Sequence, residues 1–299
     1  MKITAISDIH GMLSLIKIEP CDVLCICGDI INLNDQRDLI ASYKWWTTRF
    51  VKWINEQPCN KVFITPGNHD FFIESVYHDF FSDIPNYTEF KSELSKLTHN
   101  KLVLLIDEEY IYGGLKFYGT PWINKISFSR SGWAFENNND QKCVKQFDII
   151  PEDVDILLTH DSPINNETLG IKCESLSYEA HFYGHWHSSE SNPLKKQYNC
   201  SYLNDMYNVE DKRITIEVEP KKNKPMLYTK CDVIAEIYDQ LKAQEDLISR
   251  DDILQWIDTK YLIALSEEDN FIDDEYTEDE YGVINDDDLP IVNEFTEAE

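Results

Sequence analysis

Apolar and polar positions alternate through residues 2–10, Lys-Ile-Thr-Ala-Ile-Ser-Asp-Ile-His, which predicts a strand ending in Asp8 and His10. Side chains two apart in an extended segment share a side, so this carboxylate and imidazole are expected to converge. Asp22 to Ile26 reads as a second apolar strand and closes on Cys27-Gly28-Asp29. From Gln36 to Gln57 the period changes to three and four: Leu39, Ile40, Tyr43, Trp46, Phe50, Trp53 and Ile54 form the apolar stripe of a helix laid on a sheet. Pro58 ends it. Val62 to Ile64 is a third strand, cut by Pro66-Gly67, after which Asn68, His69 and Asp70 follow in a row. Residues 2–70 thus run strand, strand, helix, strand, each strand delivering polar residues at its C-terminal end. That is the layout of an α/β domain with a site on its rim.

The later pattern continues the theme. Residues 71–100 read as mixed helix and loop, and Leu102–Ile106 and Ile111–Tyr118 as strands. Residues 123–150 look like a long loop or lid. Val154 to Leu158 is another buried strand, ending in Thr159-His160-Asp161, and His181-Phe-Tyr-Gly-His-Trp-His187 follows. Residues 198–218 alternate as closing strands. Beyond Pro220 two helical stripes appear, Val233, Ile234, Ile237, Tyr238 and Leu241, then Ile253, Trp256, Ile257 and Tyr261. The expected division is a domain over 1–220, a helical extension over 221–266 that could dock a protein partner, and an acidic, disordered tail over 267–299.

Composition narrows the class. A chain of 299 residues, 42% hydrophobic and 12% aromatic, can bury one large core or two modest ones. No stretch approaches about 18 uninterrupted apolar residues, so no membrane span is expected. Asp8 and His10 interrupt the place where a secretion signal would carry its apolar run. The eight cysteines are then read as reduced thiols of a cytoplasmic protein, with Cys25 and Cys27 in a strand core. Net charge is −28, of which residues 267–299 supply 15 acidic side chains, and residues 1–266 keep −13. An acidic body of this kind disfavours general duplex nucleic-acid binding.

The strand-end residues Asp8, His10, Asp29, Asn68, His69, His160, His185 and His187 are the candidate chemistry. They include five of the eight histidines; His78, His99 and His181 are left as structural or surface residues. Carboxylate and amide oxygens with imidazoles, and no thiol, suit two divalent ions: manganese or iron, with zinc or nickel also compatible. Asp29, central in the set, is the natural bridge. These blocks, Asp8-x-His10, Gly28-Asp29, Gly67-Asn-His-Asp70, a strand-end His160 and Gly184-His-x-His187, stand in the order found in calcineurin-like metallophosphoesterases, which residues 1–218 resemble. Within that superfamily Phe50-x-x-Trp53, Leu105-Ile-Asp-Glu108, Tyr118-Gly-Thr-Pro-Trp122 and Trp133-Ala-Phe135 resemble the metallophosphoesterase-domain proteins related to class III cyclic-nucleotide phosphodiesterases.

The resemblance implies a sandwich of two mixed β-sheets flanked by helices, α/β/β/α. It also implies that Asp8, His10, Asp29 and His187 hold one ion, with Asn68, His160, His185 and shared Asp29 on the other. A metal-bridging hydroxide would attack phosphorus in line, and His69, oriented by Asp70, would serve as general acid. Asp29 is followed by Ile-Ile-Asn-Leu-Asn and Asp70 stands where the serine/threonine phosphatases have Glu, so that branch fits poorly. Trp122, Trp133, Trp186 and Phe72 are candidate stacking partners for a nucleobase, and Lys125 and Arg130 for a phosphate. The expected function is hydrolysis of small phosphodiesters, cyclic nucleotides among them. A phosphomonoesterase or nucleotidase on the same site is the alternative, and a non-catalytic regulator acting through its C-terminal extension is a further one.

Overall fold

The computed structural model describes residues 1–126, 132–137 and 146–219. Arg130, the extension expected over 221–266 and the tail over 267–299 lie outside these residues. Strands β1 (Lys2–Ile6), β2 (Val23–Cys27), β3 (Lys61–Thr65) and β4 (Leu102–Leu104) run parallel, and β12 (Ile214–Glu217) pairs antiparallel with β1, giving the order β12-β1-β2-β3-β4. A second sheet has the order β11-β10-β9-β6-β5, from β5 (Glu108–Tyr112), β6 (Leu115–Thr120), β9 (Ile156–Thr159), β10 (Ala180–Tyr183) and β11 (Gln197–Asn199). Only the β5–β6 pair in it is antiparallel. Both sheets are therefore mixed, as the family resemblance implies.

Burial follows the alternation of side chains. In β2 all five residues, Val-Leu-Cys-Ile-Cys, are buried, the mark of a parallel strand covered on both faces. Val23, Cys25 and Cys27 point between the sheets with Phe63, Phe117, Ile156, Leu158 and Phe182. Leu24 and Ile26 point outward with Val62 and Ile64, into the layer formed by the helices. At the centre of the sandwich Phe63 of β3 stacks on Phe117 of β6, ring centroids 4.3 Å apart and 22° from parallel. On the far side of the second sheet the helix Glu167–Ser175 supplies Leu169 and Cys173 to the cluster that contains Leu157. The layers are α/β/β/α.

The first helical stripe is more irregular than its period implies. Asp38 caps the helix with its carboxylate accepting from Ile40 N (3.0 Å) and Ala41 N (2.9 Å), so α1 (Leu39–Trp45) begins after Gln36. A π turn (Trp46–Phe50) then separates α1 from α2 (Val51–Glu56). Trp46, Phe50, Trp53 and Ile54 of the expected stripe are buried, joined by Trp45, while Ile40, expected on the sheet, is 79% exposed. Helices α3 (Phe71–Tyr77) and α4 (Tyr87–Leu97) complete this layer, the latter opened by an Asn86–Glu89 capping box.

Two other expectations are corrected. Ile111–Tyr118 is not one strand but the turn of the β5–β6 hairpin, reversed at Gly113-Gly114, where both φ values are positive (56° and 77°). Residues 123–150 are not simply a solvated loop in their described part. β7 (Ile123–Asn124) pairs with β8 (Glu136–Asn137), and Ala134, Phe135 and Phe147 are wholly buried in the core. His181 is a core residue whose Nε2 meets Thr159 Oγ1 at 2.8 Å, and His78 and His99 are exposed, as expected of structural and surface histidines.

Candidate metal centre

The C-terminal ends of β1, β2, β3, β9 and β10 meet on one rim, where backbone bonds tie the end of β1 to the second sheet and to the end of β2. Ser7 N donates to Cys200 O (2.8 Å) and Asp8 N to Gly28 O (3.0 Å), and His10 N donates to Asp29 O (2.9 Å). Asp8 and His10 do not converge as neighbours on an extended strand, because β1 ends at Ile6. Both adopt left-handed backbone (φ 53° and 39°), as do Asp29 (52°) and His185 (64°). Such conformations cost energy for residues other than glycine and cluster where side chains must be aimed at a site. The glycines of the motif blocks have a steric reason. A Cβ on Gly67 would collide with Asp29, and one on Gly184 with Ser7 Oγ and Asp8 Oδ2.

Asp29 stands between two groups of ligand atoms. Its Oδ1 lies 3.2 Å from His160 Nε2, and its Oδ2 lies 3.8 Å from His10 Nε2 and 3.7 Å from His69 Nε2. Asn68 Oδ1 is 2.9 Å from His160 Nε2, and Asp8 Oδ1 is 3.1 Å from His187 Nε2. His160 Nδ1 contacts the carbonyl of Cys27 at 2.8 Å, which fixes the proton there and turns Nε2 toward the carboxylates. The His185 ring packs 5.0 Å from that of His160, and its backbone N–H donates to Asp8. Three sets of ligand atoms, Asp8–His10–His187, Asp8–Asp29–His160 and His10–Asp29–His69, each lie within 4.8 Å of one another.

The chemistry of this set fits cations. His10 is 3% exposed, yet neither of its ring nitrogens has a hydrogen-bond partner among the described residues. A buried polar atom left in that state calls for a missing partner. Burial lowers the His10 pKa to about 4, against the pull of Asp29, so the ring is neutral with a lone pair to offer. Burial opposes charge on His160 and His187, but Asp29 lifts His160 to about 10 and Asp8 lifts His187 to about 9. Burial likewise opposes ionisation of Asp8, yet the bond and charge of His187 bring it to about 2. Burial lowers the pKa of His185.

Asp70 does not reach His69. Its carboxylate is buried and accepts from the backbone N–H groups of Gly67 (2.7 Å), Ile30 (3.1 Å) and Ile31 (3.0 Å), so it clamps the β2 and β3 loops together. Burial and the nearby Asp29 charge raise it to about 7. The partner of His69 Nδ1 is Gln36 Oε1, at 2.5 Å. Trp122 is also corrected: 7% exposed, with its indole N–H on Asp107 Oδ2 at 2.7 Å, it belongs to the core, as does Phe72. Trp186 is 37% exposed beside His185, its indole N–H on Asp161 Oδ1 (3.1 Å), and Trp133 lies 4.6 Å from the His69 ring. Lys125 is exposed. Sequence reasoning missed Gln36, Ser201, whose Oγ meets Asp8 Oδ2 at 2.9 Å, and Tyr207, whose ring lies edge-on to His10 at 5.1 Å. Gln36 and Tyr207 sit in irregular segments with no period to betray them.

A family model described as calcineurin-like phosphoesterase matches residues 1–189. Metallophosphoesterase domain-containing protein 1 of Homo sapiens is 27% identical over 172 residues, covering 54% of this chain and 49% of its own. The Mus musculus protein of that name matches to the same extent. A UPF0046 protein of Caenorhabditis elegans is 22% identical over 253 residues, covering 73% of this chain and 60% of its own. This chain thus spans about half the length of the human and mouse relatives it matches.

Proposed function

The chain belongs to the calcineurin-like phosphoesterase family, and from that premise we propose that it is a metal-dependent hydrolase of small phosphodiesters, cyclic nucleotides among them. Asp8, His10, Asp29 and His187 would hold one divalent cation, and Asn68, His160, His185 and again Asp29 a second. The observation that carries this reading is His10, buried with both nitrogens unpartnered among the described residues and set against the Asp8 and Asp29 carboxylates. Asp29 supports a shared role, since its two oxygens face different histidines. Oxygen and imidazole donors without a thiol favour manganese.

Bound there, cations would supply positive charge that eases deprotonation of water and offsets charge on the phosphoryl oxygens. The protein's own part is orientation and proton transfer. Cys27 O holds the His160 tautomer, and Ser201 and the His185 N–H hold the Asp8 carboxylate. His69, its Nε2 toward the cluster, would give a proton to the leaving oxygen. Trp133 and Trp186 on the rim would meet the organic part of the substrate. With manganese the protein should hydrolyse bis(p-nitrophenyl) phosphate, and Asp29→Ala and His185→Ala should each lower the rate at least about 100-fold. Full activity in both variants would defeat the reading. Relative rates on a cyclic nucleotide and its linear monophosphate test the diester preference.

A further inference from the structure

The hydrogen bond between Gln36 and His69 has a role that neither residue's place in the sequence announces. His69 is 9% exposed, held between the Trp133 ring (4.6 Å) and the His10 ring (4.8 Å, edge-on). The tilted contact with Trp133 and the edge-on contact with His10 restrain the imidazole but leave open which nitrogen carries the proton. Gln36 decides that. Its amide oxygen lies 2.5 Å from Nδ1 and can only accept, so Nδ1 keeps its hydrogen and Nε2 is the nitrogen turned toward Asp29, 3.7 Å from Oδ2. Among the described residues no carboxylate is hydrogen-bonded to Nδ1. Asp70 is committed to three backbone N–H groups, and Asp35 is engaged by Asn32, which donates through Nδ2 (2.8 Å) and accepts from Asp35 N (3.0 Å). The same Asn32–Asp35 turn, tied to α1 by Ser42 Oγ on Asp35 O (2.7 Å), holds Gln36 in place.

We propose that Gln36 is the positioning residue of the proton donor: it holds His69 in the form that releases its proton from Nε2 and retains the one on Nδ1. The inference rests on the phosphoesterase reading above. As the bond from phosphorus to the leaving oxygen breaks, its electron pair goes to that oxygen, which takes the Nε2 proton. His69 is left neutral with Nδ1–H still on Gln36, and Nε2 is reloaded from solvent water.

A graded series of methyl aryl phosphates, with leaving groups from p-nitrophenol to phenol, tests this on the manganese-loaded full chain. Gln36→Leu should lower kcat about 10- to 100-fold for the phenyl ester and less than about threefold for the p-nitrophenyl ester, because only a poor leaving group needs the proton. KM and metal content should not change, and Gln36→Glu should restore most of the phenyl rate. A second readout is independent of turnover. In the metal-free protein, ring nitrogen NMR should show the neutral His69 as the Nδ1–H form, moving to Nε2–H in Gln36→Leu. Equal losses across the series, or an unchanged tautomer, would overturn the role of Gln36. A wild-type protein that hydrolyses none of the series would instead overturn the phosphoesterase reading on which it rests.

Discussion

At the scale of single residues the site is a charge balance waiting for cations. His160 and His187 take protons because Asp29 and Asp8 face them, in spite of burial, and their values of about 10 and 9 stand above the ordinary 6.5. Stability contributed by such raised groups is complete below about pH 6.5 and is lost as pH climbs through about 9 to 10. The chelator-treated protein should therefore melt at progressively lower temperature between pH 6.5 and 10. Metal binding in that interval should release protons, since the same lone pairs serve both. Differential scanning calorimetry and calorimetric titration in two buffers of different ionisation enthalpy measure the two effects; a flat melting temperature would contradict the charge balance. Several of these residues were legible in the sequence, because Gly-Asp, Gly-Asn-His-Asp and Gly-His-x-His blocks at strand ends name their own side chains. Their mode of convergence was not. Asp8 and His10 meet through left-handed backbone, which no alternation of apolar and polar positions encodes. Its place beside His69 in sequence suggests that Asp70 orients that ring, but its carboxylate turns to the backbone N–H groups of Gly67, Ile30 and Ile31.

At the scale of elements, the strands were the legible part. β1, β2 and β3 announce themselves by apolar runs ended at Gly or Pro, and both faces of β2 are buried as its unbroken hydrophobicity implies. The β5–β6 hairpin was hidden because residues on both sides of Gly113-Gly114 are apolar enough to read as one strand. The π turn in the first helix was hidden too, since Trp46, Phe50 and Trp53 are buried just as a regular helical period would leave them. Trp122 shows the limit most clearly: an aromatic in a recognisable block reads as a substrate contact, yet it is buried with its indole N–H on Asp107. Phe63 is the element-scale test. It is fully buried between the sheets and stacked on Phe117, so Phe63→Ala should destabilise the protein by about 3–5 kcal/mol in urea unfolding. A loss below about 1 kcal/mol would mean that the inter-sheet core does not hold the rim together.

At the scale of the molecule, two parallel-rich sheets bring their C-terminal edges to one rim, and that arrangement turns distant segments into a single site. No strand alone supplies more than two of the candidate ligands. Residues 1–266 keep a net charge of −13, so an anionic phosphoester would meet repulsion unless cations neutralise the centre. Among the described residues no helix is long and apolar enough to cross a membrane. The most direct test of the account is manganese titration of the chelator-stripped protein, followed by electron paramagnetic resonance. It predicts a pair of ions per chain with spin–spin coupling between them, reduced to at most one uncoupled ion in Asp29→Ala. An uncoupled single ion in the wild-type chain, or coupling that survives the loss of Asp29, would contradict it.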